Sequence, residues 1–296
     1  VNRIFYHKMD LDGKCSGAIA KIYFDQKNES CTLHPYNYDM PFPADEMSKE
    51  DNIYFLDVSI QPYSEMHKLI DDGWDITICD HHKSFLESGV HLRSKGNCSL
   101  EKAGCELTWQ YFFPNDTCPQ FVRLLGRYDI WDKYNSDWDL TILPFQWSMK
   151  NRDTDLINNF EIWQKLWNDK NDNHLVEQIT EEGAVVLEYQ KRSYKNALRS
   201  YGFEATLEDY PDIRLLCMNG PGGNSMMFED QWDEDRHDAM FVWCCKGSQT
   251  ICSLYTAKKL DLTQIATNYG GGGHAQACGF QVKNVRIDGK IIRLER

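Results

Sequence analysis

The stretch Ile76-Thr77-Ile78-Cys79-Asp80-His81-His82 decides the fold. An apolar, branched run stops abruptly at a carboxylate and two imidazoles. Strands buried on both faces of a parallel sheet read as continuous apolar runs, and open α/β sheets bind ligands outside the carboxyl ends of such strands. Aspartate beside histidine suits a divalent transition metal, which takes oxygen and neutral imidazole donors. Asp-His-His strings also arise by chance, so the question is whether other strand ends carry matching groups.

They do. Residues 3–7 read as a first strand, short, aromatic and branched, closed by His7. Residues 8–13 follow as a turn carrying Asp10 and Asp12. From 14 to about 26 the apolar spacing is helical, with Cys15, Ala18, Ile19, Ile22 and Tyr23 on one broad face. A second strand covers 31–36, and a third covers 52–57 and ends in Asp57. A helix at 61–72 leads to the fourth strand, 75–79, which delivers Asp80, His81 and His82. Alternation of this kind predicts a parallel, doubly wound sheet. Its carboxyl ends converge in space, so three strands ending in Asp or His place those groups together.

Helices are expected at 102–113 and 119–127, the latter followed by Tyr128-Asp129-Ile130-Trp131-Asp132, with Trp131 read as packing. Residues 158–201 have helical spacing, with Trp163 and Trp167 as core or domain-contact residues. A strand-rich region starts near 212, with strands at 213–217, 239–245, 250–255, 277–282 and 291–294. Between them lie a Gly-rich loop at 219–225, an acidic run at 229–238 read as solvated, and a short helix at 262–269. The expected architecture is a parallel doubly wound N-terminal domain, 1–185, joined by a connecting helix, 186–205, to a smaller mixed-sheet α/β domain, 206–296.

A chain of 296 residues can build two cores. Its formal charge of −13 speaks against a broad surface for long duplex DNA. A phosphate substrate stays open, because cations held by clustered carboxylates make a positive site inside an acidic protein. No apolar stretch approaches a membrane span and no secretory signal is evident. Eleven cysteines, an odd number without a CxxC pair, fit a reducing cytoplasm.

His7, Asp10, Asp12, Asp57, Asp80, His81 and Asp129 taken singly are ordinary turn or surface residues. As a set they put ionisable groups where buried strands stop, and clustered carboxylates repel one another unless cations join them. Oxygen-rich donors with two histidines favour manganese or magnesium over structural zinc.

These pieces, in this order, resemble the DHH phosphoesterases that carry a DHH-associated C-terminal domain, the group of the nanoRNases and oligoribonucleases. The matching motifs are His7…Asp10-Leu11-Asp12-Gly13…Ser16, Asp57 after Ile53-Tyr54-Phe55-Leu56, Asp80-His81-His82, Tyr128-Asp129, and Gly270-Gly271-Gly272-Gly273-His274-Ala275-Gln276-Ala277-Cys278-Gly279-Phe280. They span nearly the whole chain. The resemblance implies two manganese ions, with magnesium as the substitute, about 3.5–4 Å apart. It assigns His7, Asp10 and Asp57 to one ion, and Asp12, Asp57, His81 and Asp129 to the other. It gives Asp80 an orienting role and brings His82 to the substrate phosphate or leaving oxygen. Gly271, Gly272, Gly273 and His274 would meet a phosphate, with the two domains closing over a short substrate. Two departures stand out. His7 precedes Asp10 by three residues where many members have four, and Ser253-Leu254-Tyr255-Thr256 lacks the arginine of members that cut short nucleotides. Tyr255 is left as a base-stacking candidate, and Lys258 or Lys259 as sources of charge.

The implied activity is hydrolysis of a short phosphodiester: an oligoribonucleotide, or a linear or cyclic dinucleotide. The alternatives are a phosphatase for small monoesters or phosphoanhydrides, such as 3′,5′-bisphosphorylated adenosine or polyphosphate, and a nucleotide sensor without turnover. The sequence leaves a homodimer open.

Overall fold

The computed structural model describes residues 1–220 and 224–295. It divides into two compact units, Val1–Leu187 and Glu188–Arg296.

The first unit opens with β1 (Asn2–His7) and α1 (Leu11–Lys27), followed by β2 (Cys31–Tyr36), β3 (Asn52–Leu56), α2 (Tyr63–Asp71) and β4 (Asp75–Cys79). The four strands form one parallel sheet in the order β2-β1-β3-β4, so all four carboxyl ends share an edge. Alternate residues face opposite sides of a strand. Phe5, Ile53, Phe55, Ile76 and Ile78 bury one face of the sheet against Met66, Phe85 and Val90. Tyr54 looks the other way, its ring 5.4 Å from Phe24 of α1. Both faces are therefore covered, as the apolar strands require.

Then come α3 (Lys83–Glu87), α4 (Gly104–Phe112), α5 (Gln120–Asp129), α6 (Leu143–Lys150), α7 (Glu161–Asn168) and α8 (His174–Tyr201). Trp163 and Trp167 are buried, and the indole of Trp163 donates to Thr154 O. Of the expected connecting helix, 186–205, residues 186–201 are the later part of α8, which starts at His174 and ends at Tyr201, whereas 203–205 already belong to the strand that follows.

The second unit continues with β5 (Phe203–Leu207), β6 (Tyr210–Asn219), β7 (Ala239–Lys246), β8 (Gln249–Tyr255), α9 (Thr263–Asn268), β9 (Gly272–His274), β10 (Ala277–Val282), β11 (Asn284–Asp288) and β12 (Ile291–Glu295). They make a mixed eight-stranded sheet, β11-β12-β5-β6-β7-β8-β10-β9. Leu262, Ile265, Ala266 and Tyr269 at α9 join Phe241, Leu254 and Phe280 of the sheet in one core.

Several expectations change. The turn read at 8–13 is cut short: α1 begins at Leu11, with Asp10 as its N-cap accepting from Gly13 N at 2.9 Å. Strands β5, β9 and β11 were not expected; they are short, and β9 and β11 are mostly exposed, so they show little apolar alternation. The acidic run is tied down rather than merely solvated. Asp230 pairs with Lys195 and Arg199, and Asp238 with Arg214 and Lys258. Of the Gly-rich loop expected at 219–225, residues 221–223 lie outside the described residues. All eleven cysteines are free thiols. No helix among the described residues is long and apolar enough to cross a membrane.

Candidate metal centre

The carboxyl edge of the parallel sheet gathers His7 from the end of β1, Asp57 just beyond β3, and Asp80, His81 and His82 just beyond β4. α1 adds Asp10 at its cap and Asp12 in its first turn, and α5 adds Asp129 as its last residue. His7 Nδ1 lies 3.0 Å from Asp10 Oδ2 and 3.6 Å from Asp57 Oδ2. His81 Nε2 lies 3.1 Å from Asp129 Oδ2, 3.3 Å from Asp57 Oδ1 and 3.9 Å from Asp12 Oδ2. Three donor groups result: His7, Asp10 and Asp57; Asp12, His81 and Asp129; and Asp57, His81 and His82. Asp57 stands between the first two, turning one oxygen toward each histidine.

The chain holds Asp57 in a left-handed conformation, φ 58°, with its amide donating to Cys79 O at 2.8 Å. A buried non-glycine residue in that region costs about 1–3 kcal/mol and persists only where its surroundings over-determine it. Gly104 contributes to that constraint. A Cβ there would stand 2.6 Å from Asp57 Cβ, so only glycine allows α4 to start against this carboxylate. The same helix end grips Asp12: Gly104 N and Cys105 N donate to its two oxygens, each at 2.8 Å. Free amides and the positive end of the helix dipole favour a carboxylate there.

Proton affinities reflect the crowding. Burial disfavours charge on His7, but pairing with Asp10 and Asp57 outweighs it and pushes the imidazole up to about 11. Burial likewise works against His81, yet Asp57 and Asp129 push it up to about 10. Burial opposes ionisation of Asp57, but His7 and His81 hold it well below the usual carboxylate range. Asp129 is pushed up to about 7 by burial, with Asp57 and Asp10 adding repulsion. Burial, with repulsion from Asp57 and Asp129, raises Asp12 well above its ordinary value.

The donor set fits divalent cations. His7 Nδ1 and Asp57 Oδ1 are buried, and neither is in hydrogen-bond geometry with a neighbour among the described residues, although charged atoms lie 3.0–3.6 Å away. A bound cation would satisfy these buried polar atoms. Carboxylates outnumber imidazoles and no thiol joins the three groups, which suits hard, oxygen-preferring ions.

Asp80 stands differently. Its Oδ1 accepts from His82 N at 2.8 Å and lies 2.7 Å from His82 Nδ1, which fixes the ring. The Tyr38 hydroxyl is 3.3 Å from both ring nitrogens of His82, and its ring is 5.4 Å from that of His7. Burial, reinforced by Asp80 and Asp57, raises the Tyr38 phenol far above its ordinary value.

In the second unit, His274 of β9 and Tyr255 of β8 both pair with Ala277 of β10. Directly opposed residues share a face, so these two lie in one row, about 10 Å apart across two strand spacings. Gly271 has a packing reason to be glycine, since a Cβ would stand 2.0 Å from Gly279 O. Gly272 has open space around it. Lys258 is engaged by Asp238 at 2.8 Å and is no spare cation.

Sequence reasoning missed Tyr38 and the Gly104 and Cys105 amides. Tyr38 had a usable signal, since it follows β2, the remaining strand end on the same sheet edge. The amides had none, because a helix N-terminus is not written in side-chain chemistry.

No family model matches the chain. Among curated proteins it is 24% identical over 252 residues to Uncharacterized protein R106 of Acanthamoeba polyphaga mimivirus, covering 80% of this chain and 55% of that protein's length. It is 20% identical over 298 residues to Oligoribonuclease NrnB of Bacillus subtilis (strain 168), covering 94% of this chain and 72% of NrnB. Among solved structures it resembles the pGpG-specific phosphodiesterase PggH of Vibrio cholerae, with a TM-score of 0.53, 13% identity, and coverage of 96% of this chain and 94% of that one. It also resembles the DHH domain of a member of a ribosomal-protein family, with a TM-score of 0.54, 12% identity, and coverage of 94% and 82%. An exopolyphosphatase-related protein from Bacteroides fragilis gives a TM-score of 0.54, 13% identity, and coverage of 94% and 86%. At these identities the structural likeness speaks for the fold.

Proposed function

We propose that the chain is a phosphoesterase of the DHH family and that it hydrolyses short phosphodiesters, oligoribonucleotides or dinucleotides, with two divalent metal ions, manganese foremost. The observation that carries this reading is Asp57, buried and in a left-handed conformation, with one oxygen toward His7 and the other toward His81. His7, Asp10 and Asp57 would hold one ion, and Asp12, Asp57, His81 and Asp129 the other. When bound, such a pair supplies Lewis acidity, lowering the pKa of water and offsetting charge that develops on phosphoryl oxygens.

The remaining work falls to the chain's own groups. Asp80 orients the His82 ring. Burial opposes charge on His82, but Asp80 outweighs it and raises its affinity for a proton. His82 then delivers that proton to the leaving oxygen as general acid. Gly104 N and Cys105 N keep Asp12 from turning away. His274 takes a substrate phosphate by hydrogen bonding, the Gly271–Gly273 backbone lies alongside, and Tyr255 stacks on a base.

The substrate class draws support from the oligoribonuclease and the pGpG-specific phosphodiesterase among the similar proteins. The charge of −13 fits a short ligand better than a long duplex. The test is a side-by-side assay with Mn²⁺ of 5′-phosphorylated diribonucleotides, cyclic dinucleotides, 3′,5′-bisphosphorylated adenosine and polyphosphate. Release of mononucleotides, lost on chelation and restored by Mn²⁺, is the expected result. Turnover of the monoester or polyphosphate alone would overturn the substrate class, and undiminished turnover after chelation would overturn the metal requirement.

A further inference from the structure

The candidate metal centre accounts for the carboxylates and histidines gathered at the carboxyl edge of the parallel sheet, but not for the aromatic residues that crowd the chain around and after Asp129. Tyr128, Trp131 and Trp138 form one cluster. Ring centroids lie 5.5 Å apart for Tyr128–Trp131, 5.2 Å for Trp131–Trp138 and 6.0 Å for Tyr128–Trp138. Trp131 holds a left-handed φ of 57°, a conformation that a bulky side chain adopts only at a cost. Trp138 opens a π-helical turn, Trp138–Ile142, with Ile142 N donating to Asp137 O at 3.0 Å. Such turns collect at functional sites.

Trp138 is buried and anchors the cluster, whereas Tyr128 and Trp131 are half-buried. Ammonium groups flank both: Lys133 Nζ is 4.8 Å from the Trp131 ring centre, and Lys150 Nζ is 4.9 Å from that of Tyr128. Both lysines are exposed. Trp131 is two residues from Asp129, so the backbone separates them by at most about 7 Å. Packing alone would be served by a relaxed backbone and by neutral neighbours. A fixed, half-exposed indole with one ammonium group against it, next to a tyrosine whose ring and hydroxyl hold a second, suits a ligand that is aromatic and anionic together. Bases stack on such rings, and the ammonium groups meet phosphate.

Resting on the phosphodiesterase reading above, we propose that Trp131, backed by Tyr128 and Trp138, is the stacking platform for the nucleobase beside the scissile phosphate, with Lys133 and Lys150 receiving a flanking phosphate. Trp131 is then a specificity-determining residue that rewards nucleotides over other phosphate esters.

Two measurements test this. With Mn²⁺ present, AMP and GMP should quench the tryptophan emission of the wild type, ribose 5-phosphate should not, and Trp131→Phe should lose the quench. In steady state, Trp131→Ala should raise KM about tenfold or more for a 5′-phosphorylated diribonucleotide, with kcat changed by less than about threefold. Its KM for the abasic analogue should be unchanged, and Trp131→Phe, which keeps a stacking ring, should restore most of the loss. An unchanged KM for the dinucleotide, equal losses on both substrates, or a quench that survives Trp131→Phe would each overturn the platform. A wild type that cleaves no dinucleotide would defeat the phosphodiesterase reading instead, and the quench would still decide the platform.

Discussion

Replacing Gly104 with alanine is a one-carbon probe of the candidate metal centre that replaces none of its donors. The added methyl would stand 2.6 Å from Asp57 Cβ and 2.9 Å from its Cγ and Oδ1. Ordinary carbon contacts lie at about 3.5–4.0 Å, so about 1 Å must be found. Neither side yields freely. Asp57 is held by its amide bond to Cys79 O, and the start of α4 by two 2.8 Å bonds from Gly104 N and Cys105 N to Asp12. Relief therefore moves the Asp57 carboxylate or lengthens both bonds to Asp12. Overpacking of this kind costs about 1–3 kcal/mol of stability. Displaced ligand support typically costs about 10–100-fold in metal affinity, and a 1 Å misplacement costs about 100-fold in turnover. Isothermal titration with Mn²⁺, with urea unfolding in parallel, reads both effects. Gly272→Ala is the control, because nothing lies within 4 Å of that added methyl. Manganese affinity within about twofold of wild type in Gly104→Ala would refute the reasoning.

Other expectations can be checked alongside. His7 and His81, held at about 11 and about 10 before metal binds, are protonated near neutrality and must each shed a proton to coordinate. Overall Mn²⁺ association should therefore strengthen at least about hundredfold per pH unit between about pH 7.5 and 9, with two or more protons released, and a pH-independent affinity would contradict this. His82→Asn should lower kcat about 10²–10⁴-fold while Mn²⁺ affinity stays near wild type; a parallel loss of metal would make His82 a ligand rather than the acid. His274→Ala should raise KM for the dinucleotide with little change in metal affinity, as steady-state kinetics and Mn²⁺ titration would report.

The parallel sheet was legible because its strands are apolar and stop at ionisable residues, so that Asp57 and Asp80 stand out against Phe55-Leu56 and Ile78-Cys79. That His7, Asp57, Asp80, His81 and His82 gather at one edge was legible for the same reason, since parallel strand ends must share an edge. How Asp10 and Asp12 divide their work was not. It depends on α1 starting between them, which leaves one at the cap and buries the other in the first turn. The Asp12 cradle depends on backbone amides, and the space for Asp57 depends on a missing methyl at Gly104, neither of which leaves a side-chain signature. Tyr38 reaches His82 from a loop whose path the sequence does not prescribe. In the second unit, β11 alternates too weakly to be seen: four of its five residues are exposed.

Anomalous diffraction from Mn²⁺-soaked crystals tests the central claim most directly. Two peaks about 3.5–4 Å apart are expected, with Asp57 between them, His7 and Asp10 on one side, and Asp12, His81 and Asp129 on the other. A single peak that bypasses Asp57, or no peak among these residues, would contradict the account.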